Sequence, residues 1–151
     1  MLIATWNLNS IRARQAHLLA WLERVRPDVL CLQELKVPAD QFPRDALQAL
    51  GYHAAVLGQQ TYNGVAIVSL TEATDVQAGL QDDVDDPQSR FIAARVGDIR
   101  VISAYVPNGG EVGSDKWSYK LRWMARLRAW LERGCDPDEP LALCGDFNVA
   151  P

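Results

Sequence analysis

Two turn signals, Tyr62-Asn63-Gly64 and Gly97-Asp98, each stand between short apolar runs, and they narrow the possible architectures more than any other feature of the chain. Residues 52–57 and 65–68 flank the first, and residues 91–96 and 99–106 flank the second. Runs of this length joined across Asn-Gly or Gly-Asp pair as hairpins, so an all-parallel, doubly wound sheet is excluded. Helical patterns lie between these runs. Leu18, Leu22 and Val25 share one face of a segment that stops at Arg26-Pro27, because the residue before a proline avoids helical geometry. Residues 43–50 form a short amphipathic helix ended by Gly51. Residues 115–133 form a longer one with Trp117, Leu121, Met124, Leu127 and Leu131 at helical spacing, closed by Gly134. Residues 28–32 read as a strand buried on both faces, and residues 141–144 as another buried strand. The expected class is α/β, with mixed β-sheets flanked by helices.

A chain of 151 residues with 48% apolar composition is expected to form one unit around one core. No apolar stretch approaches the roughly 18 residues of a membrane span, and the start of the chain lacks signal-peptide character. The expectation is a protein without membrane association and with a cytoplasmic address. Cys31, Cys135 and Cys144 are too few and too irregular for a disulfide framework, and neither C-x-x-C nor H-E-x-x-H accompanies His17 and His53. Zinc is discounted. Residues 109–116 lack the spacing of a phosphate loop.

The net charge of −4 is unevenly placed. Residues 72–86 carry six acids and no base, and residues 116–133 carry six bases against Glu132. A dipolar surface can hold a polyanion on its basic side, but on charge alone two solvated faces are the preferred reading. The acidic segment is the expected flexible loop.

Three apolar runs lead directly into acids or amides: Trp6-Asn7-Leu8-Asn9, Leu32-Gln33-Glu34 and Cys144-Gly145-Asp146-Phe147-Asn148. If the extended geometry persists, Asn7 and Asn9 face one way, as do Asp146 and Asn148. Their hard oxygens suit Mg²⁺ or Mn²⁺, with Glu34 as a ligand and Asp146 orienting a water. The alternative stays open that these are ordinary turn and cap residues, with Asn9 or Ser10 capping the first helix.

These strings, together with residues 10–14, 27–36, Asn63-Gly64-Val65-Ala66 and Ala104-Tyr105-Val106-Pro107-Asn108-Gly109, resemble the exonuclease III type of apurinic/apyrimidinic endonuclease, within the endonuclease/exonuclease/phosphatase superfamily. They occur in family order over nearly the whole chain. The resemblance implies a four-layer α/β/β/α sandwich, of which residues 1–151 would be the N-terminal portion, cut short after Gly145-Asp146-Phe147-Asn148. It implies divalent-metal phosphodiester hydrolysis in double-stranded DNA at abasic sites or 3′ ends. By motif match, Glu34 and Asn9 would hold the metal and Asn7 would order the carboxylates. Tyr105 and Asn108 would contact the scissile phosphate, Asp146 would deprotonate the attacking water, and Asn148 would help position it. Arg12, Lys36, Tyr62 and Arg90 match positions that support the site or meet the DNA backbone, whereas Lys116 and Lys120 are read as ordinary solvated residues. Ser10 stands where glycine is common and Leu35 where threonine is. Two competing functions remain: a superfamily phosphatase on a small phosphoester, and a non-catalytic half-domain that binds nucleic acid or a partner chain. Sequence leaves the oligomeric state open.

Overall fold

The computed structural model describes residues 1–150. In chain order the elements are β1 (Ile3–Asn7), α1 (Ile11–Val25), β2 (Val29–Gln33), α2 (Arg44–Ala49), β3 (His53–Leu57), β4 (Val65–Ser69), β5 (Thr74–Ala78), β6 (Phe91–Val96), β7 (Ile99–Tyr105), α3 (Asp115–Gly134) and β8 (Leu141–Asp146). They form two four-stranded sheets of order β1-β2-β4-β3 and β5-β6-β7-β8. Each sheet is mixed: β1 runs parallel to β2 and β7 parallel to β8, and all other pairings are antiparallel. Both expected hairpins, β3-β4 and β6-β7, are present.

Side-chain alternation along the strands builds four layers. In β2, Leu30 and Leu32 join α1 and α2 residues Leu18, Leu22 and Leu47, while Val29 and Cys31 point the other way to meet Ile92, Ala94 and Val101 of the second sheet. In β6 and β7, Phe91, Ala93, Ile102 and Ala104 turn outward onto Trp123, Leu127 and Trp130 of α3. The order is therefore helix, sheet, sheet, helix. Each large apolar side chain buried this way contributes roughly 1.5–3 kcal/mol, and the two central tryptophans more area than any leucine.

Four expectations are corrected. The buried face of α3 is Lys120, Trp123, Leu127 and Trp130, while Leu121 and Met124 are 50% and 40% exposed. Two apolar stripes compete on this helix, and the one carrying two indoles wins because it removes more surface from water. The helix runs through Gly134, one residue past the expected stop. The acidic segment is not a free loop. Its first part is edge strand β5, and Asp82 and Asp86 are both held by Arg126 of α3, at 2.7 Å each. The acidic and basic clusters thus partly neutralise one another. Finally, β8 is only half-buried, because it forms the edge of its sheet among the described residues.

Among the described residues no helix is long and apolar enough to cross a membrane. All three cysteines are free thiols, with Cys31 and Cys144 packed in the layer between the sheets.

Candidate active site

The C-terminal ends of β1, β2 and β8 meet at one end of the sandwich, where β1 and β8, edge strands of different sheets, pack against each other. Asn7 closes the gap between the sheets. Its side-chain amide nitrogen donates to Glu34 Oε1 and to Asp146 Oδ2, at 2.8 Å each, so one neutral group holds two carboxylates together. Asp146 reaches this point because Gly145 precedes it. With φ at +152°, a Cβ on Gly145 would stand 1.9 Å from the carbonyl oxygen of Ala104, so only glycine lets β8 lie this close to β7.

The strands do not continue in extended geometry. Asn9, Ser10, Glu34, Lys36 and Asn148 all have positive φ, between +46° and +97°. The paired residues nevertheless meet, by turns and not by alternation. The Asn9 amide donates to Asn7 Oδ1 and the Asn148 amide to Asp146 Oδ1, each at 3.0 Å. The same carbonyl–amide turn occurs at both strand ends, and Asn108 repeats it with the Gly110 amide at 3.0 Å. Turn-making and site-building are therefore done by the same side chains. Neither Asn9 nor Ser10 caps α1 through its side chain. The Ser10 and Ile11 amides instead donate to the carbonyls of Glu34 (2.8 Å) and Leu35 (3.0 Å), which ties the helix start to the Glu34 loop. Left-handed backbone at non-glycine residues costs of order 1–3 kcal/mol each, and its concentration here marks a site that the surrounding fold over-determines.

Glu34 also meets Lys36 and Tyr105. The Lys36 ammonium lies 3.1 Å from Glu34 Oε2 and donates to Asn9 Oδ1. Burial pushes the Glu34 carboxyl up, but hydrogen bonds from Asn7, Lys36 and Tyr105 and the charge of Lys36 outweigh it, so its pKa lies below the usual carboxylate range. The Tyr105 phenol is driven the other way, to about 12, by burial, by the hydrogen bond and charge of Glu34 and by the charge of Asp146. It remains a hydrogen-bond donor at any physiological pH. Arg90 stacks on the Tyr105 ring, 4.7 Å from its centroid, and donates to Gln88 and to the Tyr105 carbonyl.

Two open grooves flank this centre. One, of about 400 Å³, is lined by Tyr62, Arg90, Tyr105, Asn108, Lys116 and Tyr119 among others. The other, of about 670 Å³, runs along Trp6, Asn7, Gln33, Asp146, Phe147 and Asn148. The structure brings Asn7, Asn9, Glu34, Lys36, Tyr105 and Asp146 into direct contact. Asn148 lies beside Asp146 and donates to the Val106 carbonyl at 2.8 Å. Asn108, Tyr62 and Arg90 line the first groove without touching the carboxylates. Arg12 stands apart, exposed on the first turn of α1 and hydrogen-bonded to Gln41.

Sequence reasoning passed over three contributors. Lys120 is 6% exposed, and its ammonium donates to the Asn148 carbonyl at 2.5 Å, fixing the turn that presents Asp146. The signal was its position on the Trp123–Leu127–Trp130 face. Gln33 is buried and donates to Thr5 and to Ser103 across the sheets, both at 3.1 Å. Tyr119 donates to Asp86 and lies against Arg90, which links the acidic clamp to the groove; no pattern in the sequence pointed to it.

The model of the endonuclease/exonuclease/phosphatase family matches residues 4–151. The chain belongs to this family. It is 35% identical to exodeoxyribonuclease III of Haemophilus influenzae over 156 residues, covering 100% of this chain and 58% of that protein. A solved AP endonuclease from Archaeoglobus fulgidus superposes with a TM-score of 0.95 at 44% identity, covering 100% of this chain and 59% of that one. A 3′ phosphatase from Neisseria bound to a product DNA hairpin superposes with a TM-score of 0.96 at 46% identity and the same coverage. The chain thus spans less than two-thirds of the length of the relatives it matches.

For a family member of this kind the donor set fits a hard divalent cation. Glu34 Oε2 and Asn9 Oδ1 already converge on one cation, the Lys36 ammonium. Among the described residues no group of three or more His, Cys, Asp or Glu side chains gathers, so the donor set here is one carboxylate and one amide oxygen.

Proposed function

We propose that this chain carries the phosphodiester-hydrolysing centre of a DNA-repair nuclease, acting on duplex DNA at abasic sites or 3′ ends. The observation that carries the reading is the Asn7 amide held between Glu34 and Asp146. Two carboxylates this close, separated by a neutral donor and opened to two grooves, are arranged for two different tasks. Glu34, drawn toward its ionised form, and Asn9 would hold Mg²⁺ or Mn²⁺, which when bound neutralises charge on the phosphate oxygens. Asp146 is held by two neutral donors, the Asn7 side chain and the Asn148 amide, and its carboxylate would accept a proton from an attacking water. Asn148 holds the turn beside it, and the second hydrogen of its side-chain amide would donate to water or a phosphate oxygen. Tyr105 and Asn108 would donate to the scissile phosphate, and Arg90, Tyr62, Lys36 and Arg12 would meet neighbouring backbone phosphates. The named activities of the relatives, exonuclease, AP endonuclease and 3′ phosphatase, share this one chemistry and differ in which phosphate ester enters.

The open grooves favour a polymer over a small phosphoester, which a closed pocket would hold better. Among the described residues both β1 and β8 present an unpaired edge beside the site. We infer that full activity belongs to a longer chain whose added strands pair those edges, and that the 151 residues alone turn over slowly. The test is a duplex oligonucleotide with one abasic site, incubated with this chain and with an extended version, in Mg²⁺ and in EDTA. Metal-dependent cutting by the extended form, with weak or no cutting by the short one, is expected. Binding without cutting by both would support the non-catalytic reading, and activity confined to a soluble phosphomonoester would support the small-molecule phosphatase.

A further inference from the structure

Lys36 occupies a position that its charge alone does not explain. Lysine ammonium groups beside a carboxylate usually sit on a flexible stem in water, but this one is drawn in between two oxygen ligands of different residues, Glu34 Oε2 at 3.1 Å and Asn9 Oδ1. Its backbone is held as well. Lys36 has φ of +57°, and its amide donates to the Asn63 carbonyl at 2.9 Å. The side chain is 29% exposed, so the ammonium can leave this seat without disturbing the core. The remaining Glu34 oxygen is committed to Asn7 at 2.8 Å, which leaves Oε2 as the one most open to a new cation.

We propose that Lys36 is an exchangeable internal cation: its ammonium fills the divalent position between Glu34 and Asn9, and ion binding requires its displacement. The inference rests on the reading of Glu34 and Asn9 as the divalent site and deepens it. Two cations cannot share these oxygens at contact distance, because their mutual repulsion in a partly desolvated site is large. Each loading event is therefore an exchange, and the lysine lowers the apparent affinity for the ion while keeping Glu34 ionised and the strand ends together in its absence. The ammonium released by loading becomes available to an incoming anion.

The experiment is isothermal titration of Mn²⁺ into the wild-type chain, K36M and K36R at one pH and ionic strength, with E34Q as the control. Methionine keeps the length and removes the charge; arginine keeps the charge. K36M should bind Mn²⁺ about tenfold more tightly than wild type, K36R should stay within about twofold of it, and E34Q should lose the binding. Unchanged or weaker binding by K36M, equal tightening in K36M and K36R, or no measurable binding by either wild type or K36M would overturn the exchange. Retained affinity in E34Q would instead overturn the placement of the ion at Glu34, and the exchange with it. These outcomes are read without any DNA, so they stay distinct from failure of the nuclease reading.

Discussion

Two of the clusters in which a pair of carboxylates meets a basic side chain are built on opposite principles. In the clamp between the acidic segment and α3, Arg126 gives Asp82 two hydrogen bonds of 2.7 and 2.9 Å and Asp86 one of 2.7 Å, and Tyr119 adds another to Asp86 at 3.0 Å. A planar guanidinium serves both acids, and little capacity for a further partner remains. At the strand ends the shared donor is the neutral amide of Asn7, and the Lys36 ammonium reaches Glu34 but not Asp146. The first cluster fastens two surfaces together. The second keeps two acids close and leaves their charge unspent, which is what binding a cation and accepting a proton require.

The largest expected effects separate the two clusters by what they lose. Glu34→Gln and Asp146→Asn should each lower turnover of the extended enzyme on an abasic duplex by about 10³-fold. Stability should fall by no more than about 1 kcal/mol, because a side-chain carbonyl at either position still accepts from Asn7, while Glu34→Gln loses the ion pair with Lys36 and Asp146→Asn one of its two acceptor oxygens. Arg126→Ala should do the reverse. It leaves Asp82 and Asp86 partly buried and unpaired, at 14% and 10% side-chain exposure, and should cost about 2–3 kcal/mol of unfolding free energy in urea titrations. Its turnover should fall by no more than about threefold. Near-normal rates in either carboxylate variant would remove that residue from the chemistry. A large rate loss in Arg126→Ala would mean that the Asp86–Tyr119–Arg90 contacts govern the groove more than the distance suggests.

The two regions also differ in how far the amino-acid order revealed them. The strand-end cluster was legible because each of its members follows an apolar run, so chemistry and local structure are written in consecutive letters. The layered architecture was legible for the same reason: hairpin turns and helix stops are local signals. The clamp was not legible. Arg126 and Asp82 are separated by 44 residues, and nothing local distinguishes a paired arginine from a solvated one. Lys120 was hidden behind a misassigned helix face, since two apolar stripes on α3 are separable only by knowing which surface meets Phe91 and Ala93. Asn9 does lie beside Asn7 and Asn148 beside Asp146, though not by the geometry expected. Strand alternation was expected, and left-handed turns produced the same convergence.

Those turns carry a smaller and more local expectation. Ser10 sits at φ +97° and ψ +114°, a region that suits glycine far better than an L side chain, and its hydroxyl makes no capping bond to α1 in return. The backbone bond from its amide to the Glu34 carbonyl does not depend on the side chain. Ser10→Gly should therefore raise stability by about 1 kcal/mol, the relief of strain exceeding the added flexibility of the unfolded chain. The measurement is a urea midpoint, and a lower midpoint would show that the serine side chain is held by something worth more than its strain.

The finest distinction is in acid. Glu34 and Asp82 both have pKa values below the ordinary carboxylate range. At Glu34 burial opposes the shift and is outweighed by Asn7, Lys36 and Tyr105; at Asp82 the hydrogen bond from Arg126 leads. A carboxyl that is more acidic folded than unfolded contributes stability that is complete above its unfolded value, about 4 for these groups, and is lost as the pH falls through its folded value. Both clusters should therefore weaken on acidification below about pH 4. The clamp should weaken more, because protonating Asp82 breaks a bidentate contact, whereas protonated Glu34 still accepts from the Asn7 amide. Urea midpoints between pH 6 and pH 3 should fall less steeply in Asp82→Asn than in Glu34→Gln, and most steeply in wild type. Parallel curves for all three chains would mean that neither carboxyl senses folding, and that the contrast between a spent and an unspent charge is not an energetic one.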